Sequence, residues 1–125
     1  MNWAGIGAGA LCLAVMLGAF GAHGLRDRLD AYSLGVYERA VFYHFIHALG
    51  IVITPLFVRS GLLSETAGNR VAWLLLIGIV LFSGSLYVLA ISGARMLGAV
   101  TPFGGLAFIV AWGLLAAGLF RAGKA

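Results

Sequence analysis

Apolar residues run along this chain in four long blocks, and the short stretches between them carry most of the charge. The blocks fall at about 3–24, 35–58, 71–92 and 102–120. Each approaches or exceeds the roughly 20 residues that a helix needs to cross a hydrocarbon core of about 30 Å. Lipid offers no hydrogen-bond partner, so each block must close its backbone bonds within itself. The predicted fold is all-α: an integral membrane bundle of four transmembrane helices with short loops, one domain over residues 1–125. A secretory signal peptide is the rival reading for residues 1–24, since Ala19-Phe20-Gly21 loosely resembles a cleavage site. Met1-Asn2-Trp3 supplies no basic lead-in and the apolar run is too long, so the first helix is expected to stay.

The connections differ in character. LRDRLDAYSL alternates charge with Leu and Tyr and suits a short helix lying in the interface. RSGLLSETAGNR reads as an ordinary polar turn. GARMLGAVT is too apolar for a free loop and is expected to lie against the headgroups, with Thr101 as N-cap and Pro102 opening the last helix. MLGA occurs at 16–19 and at 96–99, once in a helix and once in a loop, so it marks no internal repeat. Pro55 frees the carbonyl of Ile51 near the end of the second helix.

Small residues mark the expected packing faces. Ala10, Ala14, Gly18 and Ala22 recur at every fourth position, Gly5 and Gly9 form a GxxxG on another face, and Gly104 and Gly105 open the fourth helix. Helices in lipid gain little from apolar contact, and close backbone approach over small residues supplies their packing. Four short helices offer more such faces than one bundle needs, so homo-oligomerisation or a membrane-protein partner is also expected to be open to the chain.

Composition agrees. Of 125 residues, 62% are hydrophobic and 10% charged, and mean hydropathy is +1.06. Soluble domains carry roughly 25% charged residues. The lipid bilayer is therefore the chief partner. The net charge of +4 is scattered over helix ends and loops, which excludes a nucleic-acid footprint. Arg59, Arg70, Arg121 and Lys124 fall on the side of the termini, against Arg26, Arg28 and Arg95 on the other; counting them favours cytoplasmic termini by a small margin. Cys12 stands alone in mid-helix, so no internal disulfide or CxxC motif exists.

Depth is more informative than order. The half-membrane beside the first and third connections receives His23, Tyr37, Arg39, Tyr43, His44, His47, Ser83, Ser85, Tyr87 and Thr101. In the opposite half Thr54 is the only polar side chain apart from Trp indoles. At about 100° per residue, Tyr37, Arg39, Tyr43, His44 and His47 fall within an arc of about 160° on the second helix. The expected site is a polar pocket on the side of the 25–34 and 93–101 loops, floored by apolar packing. The plainer reading is that Tyr43 and His47 form an interhelical hydrogen-bonded pair, that Arg39 snorkels to headgroups and that Ser83 and Ser85 bond their own helix.

LGAFGAHGL, YHFIHAL, LFSGSLYVLAISG and VTPFGGLAFIVAWGLL together resemble the YgdD/YwdK family of small membrane proteins, a domain of unknown function with a human transmembrane relative. The resemblance covers nearly the whole chain and implies a four-span protein of the bacterial inner (plasma) membrane. It maps the family's blocks onto Gly21-Ala22-His23, Tyr43 with His47, Ser85 with Tyr87, and Pro102 with Gly104 and Gly105. It brings no activity, substrate or cofactor.

Three functions fit the pattern. The favoured one is a non-enzymatic module whose pocket (His23, Arg39, Tyr43, His44, His47, Ser83, Ser85, Tyr87, Thr101) holds a lipid, a small amphiphile or a partner helix. It needs no cofactor, and nothing resembles a nucleophile, base and oxyanion set. A metal or haem redox module would draw on His23, His44 and His47. A proton-coupled transporter or channel would use His47 as a titrating relay.

Overall fold

A computed structural model describes residues 1–124, and they form four helices: α1 (Trp3–Leu25), α2 (Ala31–Arg59), α3 (Glu65–Ser92) and α4 (Thr101–Gly123), the last preceded by a 3-10 turn at Arg95–Ala99. All four are long and apolar enough to cross a membrane, and no strand occurs among the described residues. The all-α membrane-spanning class expected from the hydrophobic blocks is what the chain adopts.

The helices are longer than their hydrophobic blocks because caps, not hydropathy, set their starts. Asp30 accepts the Ser33 amide at 2.7 Å and begins α2 four residues before the apolar run. The AYSL segment is thus the first turn of α2 rather than a separate interfacial helix. Ser64 accepts the Ala67 amide and begins α3 at Glu65, inside what reads as a polar turn. The fourth start differs from expectation too. Val100 holds the N-cap position without a side-chain cap, Thr101 is already helical, and its hydroxyl turns to Ser85 instead. Gly93 closes α3 with φ +72°, in the left-handed region that glycine enters without steric cost.

Extensive packing runs in chain order: α1 on α2, α2 on α3, α3 on α4. The outer helices α1 and α4 therefore turn broad faces to lipid, and Phe20, Phe103, Ile109 and Phe120 are exposed there. On α1 the closest approach follows a seven-residue spacing. Gly7 and Ala14 are buried, as is Gly21, and a side chain at Gly7 or Gly21 would meet Val52 or the Tyr37 ring. A four-residue spacing turns by about 40° at each step, whereas seven residues return to within about 20°. Ala10 and Gly18 accordingly stay half-buried, while Ala22 leaves the interface and is exposed. Gly9 faces open space, with nothing within 4 Å of an added Cβ.

The α3–α4 contact is tighter. Gly78 and Gly104 bring the two backbones together, and Gly104 sits directly on the main chain of Phe82. Gly105 keeps ordinary contact with the Phe82 ring. Here α3 widens into a π-helical turn at Ile79–Ser83, which carries Phe82 between Tyr43 and Phe108. In the other half Trp3, buried at the start of α1, donates its indole N–H to Asn69 at 2.6 Å and meets Trp73 edge to face. Of the pair only Trp73 is exposed. Thr54 satisfies its hydroxyl on the Gly50 carbonyl, one turn back, beside the gap left by Pro55.

Candidate functional site

The buried face of α2 collects Tyr37, Ala40, His44, His47, Ile51 and Thr54. His44 and His47 flank the helix midpoint, where an ionisable group needs partners from the protein. His44 Nδ1 lies 2.9 Å from the Tyr87 hydroxyl of α3, and the ring also approaches the Ala10 carbonyl of α1. Either partner can donate in the Tyr87 link, according to the imidazole tautomer, and the pair ties α2 to α3. Tyr37, its ring edge-on to Tyr87, donates its hydroxyl to the Leu17 carbonyl and joins α1 to the same centre.

His47 is arranged differently. Its Nδ1 donates to the Tyr43 carbonyl one turn back at 2.6 Å, which leaves Nε2 as the unprotonated acceptor. The ring stacks on Phe108 with centroids 3.4 Å apart and lies near Trp112, while Tyr43 packs against Phe82. Ser83 reaches from the π turn to the Ala40 carbonyl at 2.8 Å and joins α3 to α2. Ser85 and Thr101 join α3 to α4 at 2.6 Å. Ser85 also reaches the Phe82 carbonyl at 2.9 Å and Thr101 the Leu97 carbonyl at 3.3 Å, so either hydroxyl can donate to the other.

The structure therefore links His44 with Tyr87 and Ser85 with Thr101 between helices, whereas Tyr43 and His47, expected as an interhelical pair, meet within α2 through the Tyr43 carbonyl. Among the described residues no fully buried side-chain nitrogen or oxygen lacks a hydrogen-bond partner. His23 and Arg39 stand apart and are exposed. Arg39, Tyr43 and His47 form a four-residue column, and the drift of about 40° per step carries it from the surface at Arg39 to the interior at His47. The three imidazoles named for a metal do not converge: no group of three His, Cys, Asp or Glu side chains among the described residues is placed to hold an ion.

Open space lies above these linkages, on the side of the first and third loops. A cleft of about 650 Å³ is bounded by Asp30, Tyr32 and Ser33 at the start of α2, Leu89 and Gly93 at the end of α3, and Arg95 with Gly98 in the 3-10 turn. The hydrogen bond from the Ser33 amide holds the Asp30 carboxyl below the ordinary carboxylate pKa. The cleft thus sets a carboxylate and a guanidinium on the side of the first and third loops. Of its walls only Arg95 draws notice in the sequence. The Asp30-x-x-Ser33 spacing is a cap signal that would have placed the start of α2, and with it the wall, correctly.

The chain matches the family described as "Protein of unknown function (DUF423)" over residues 17–105. It is 46% identical over 119 residues to a UPF0382 membrane protein of Staphylococcus saprophyticus, covering 93% of this chain and 94% of the relative. A UPF0382 membrane protein of Staphylococcus haemolyticus is 48% identical over 115 residues, with 90% and 92% covered. The UPF0382 membrane protein YwdK of Bacillus subtilis is 47% identical over 107 residues, with 86% of each chain covered. No solved structure matches the chain at a significant level.

Proposed function

The chain belongs to the DUF423 family of membrane proteins, and from that starting point we propose a non-catalytic module of the bacterial inner (plasma) membrane, its termini in the cytoplasm, that seats the polar head of a lipid or small amphiphile. The observation that carries this reading is the loop-side cleft with Arg95 at its wall. Its volume lies within the roughly 300–1,000 Å³ typical of small-molecule sites. It combines a cation for a phosphate or carboxylate, the Tyr32 and Ser33 hydroxyls for a neutral polar group, and Leu89 for the first methylenes of a tail. The deeper polar side chains serve it indirectly. They join the helices whose ends form the cleft, and with hydrogen bonds made inside the protein they leave ligand recognition to the rim.

Titration of the micelle-embedded protein with dihexanoyl phosphatidylglycerol, followed by amide NMR, tests the proposal. Saturable shifts are expected at Ser33, Gly93 and Gly98, and Arg95→Ala should weaken binding about tenfold, the worth of one charge-assisted hydrogen bond. Shifts spread evenly along the loops, or unchanged binding to the Arg95 variant, would refute it.

A further inference from the structure

A second recess lies on the terminal side of the bundle, on the outer seam between α3 and α4, and shares no residue with the loop-side cleft. It is an open trough of about 500 Å³. Its α3 wall follows from sequence spacing: Arg70, Trp73, Leu74 and Ile77 recur at the i, i+3, i+4, i+7 intervals that set residues on one helix face. Leu114 of α4 forms the other side. The seven residues from Arg70 to Ile77 rise about 10 Å, so the trough runs two turns down into the hydrocarbon.

Its two ends differ in chemistry. At the top, Thr66, Asn69 and Arg70 are exposed, and Arg70 directly precedes the apolar run that opens at Val71. Among the described residues on its walls Arg70 is the one charged side chain, and none is a carboxylate. Asn69 receives the Trp3 indole N–H at Oδ1, so its amide nitrogen is left to donate. Lower down, Trp73, Ile77 and Leu114 are all exposed. The Trp73 ring is set by the fold: Trp3 meets it edge to face with centroids 5.1 Å apart, and Asn69 holds Trp3. A wall fixed in advance spares a ligand the cost of ordering it.

We propose that this trough holds one anionic glycerophospholipid, its phosphate on Arg70, its polar head against Thr66 and Asn69, and an acyl chain laid over Trp73, Ile77 and Leu114. The form of the trough selects an amphiphile, since a cation stands at the hydrocarbon boundary and apolar side chains continue below it. Its charge selects the head. A guanidinium matches a phosphate, and with no carboxylate on the walls the ammonium of a zwitterionic head finds no counter-charge. The bilayer is the source, because the lower part of the trough lies along membrane-spanning lengths of α3 and α4.

The full-length protein in phosphatidylcholine nanodiscs with rising fractions of phosphatidylglycerol tests this by NMR of the Trp73 indole N–H. One guanidinium near an anionic surface gives about a fivefold preference, so the shift should curve and reach half its limit at about one-sixth phosphatidylglycerol. Arg70→Ala should straighten the curve, and Arg70→Lys, which keeps the charge, should retain the curvature. Arg59→Ala removes a cation from the same side of the membrane and should change nothing. Sodium glycerophosphate, a head without chains, should leave the signal in place. A straight line for the parent protein, curvature that survives Arg70→Ala or is lost with Arg59→Ala, or an equal shift with glycerophosphate overturns the proposal. So does a shift that follows the number of chains per disc, which would put a second copy of the chain in the trough. Arg95→Ala should leave the Trp73 curve unchanged, so the result stands or falls apart from that of the loop-side cleft.

Discussion

His44 shows how one side chain settles a question that spacing leaves open. Sequence places it on a polar arc with four neighbours, but the arc does not say which group each nitrogen meets. The His44 link to the Tyr87 hydroxyl depends on how α2 and α3 pack. Tyr87→Phe removes the hydrogen-bond partner of Nδ1 while keeping the aromatic packing, and should cost about 0.6–1.7 kcal/mol, the range found for polar links between membrane helices. Reversible unfolding in bicelles would measure it. Asp30 gives a second expectation, in pH. Its folded pKa lies below the ordinary value, so the cap is fully present above the unfolded carboxylate's pKa and is lost as pH falls through the folded one. Relative to its intrinsic rate, exchange of the Ser33 amide should therefore stay slow on acidification to the usual carboxylate range and quicken only below it. An Asp30→Ala variant should show no such step.

At the scale of elements, hydropathy locates spans and misses what lies beyond the hydrocarbon. The starts at Ala31 and Glu65 precede the apolar runs because Asp30 and Ser64 cap polar first turns, which lipid does not dictate. The π turn in α3 has no sequence signature of its own; it accompanies the seating of Phe82 on Gly104. That contact separates two adjacent glycines that look alike in sequence. Gly104→Ala drives a methyl into the Phe82 main chain and should destabilise by about 1–3 kcal/mol, the usual cost of overpacking, whereas Gly105→Ala should stay within about 0.5 kcal/mol. The same contrast holds on α1. Gly21→Ala must displace the Tyr37 ring, while Gly9→Ala meets nothing. Thermal melts of the four variants in one detergent would rank them, with Gly104 and Gly21 low and Gly105 and Gly9 near the parent.

For the whole molecule, class and span order were legible because lipid imposes one rule on every residue of a span. The neighbour relations were not. Packing in chain order leaves α1 and α4 as flanks, and nothing in a hydropathy pattern distinguishes that from a closed ring. The gathering of polar groups in one half was legible as a tendency. Its partition into linkages was not, because it depends on which side of α2 each residue turns to, and Arg39 and His47 share a column yet part at the surface. The central claim is that His44 with Tyr87, Ser83 with the Ala40 carbonyl and Ser85 with Thr101 tie α2 to α3 and α3 to α4. A double-mutant cycle on His44→Phe and Tyr87→Phe, measured as unfolding free energy in bicelles, tests it most directly. A coupling of about 0.6–1.7 kcal/mol is predicted; additive losses with no coupling would contradict it.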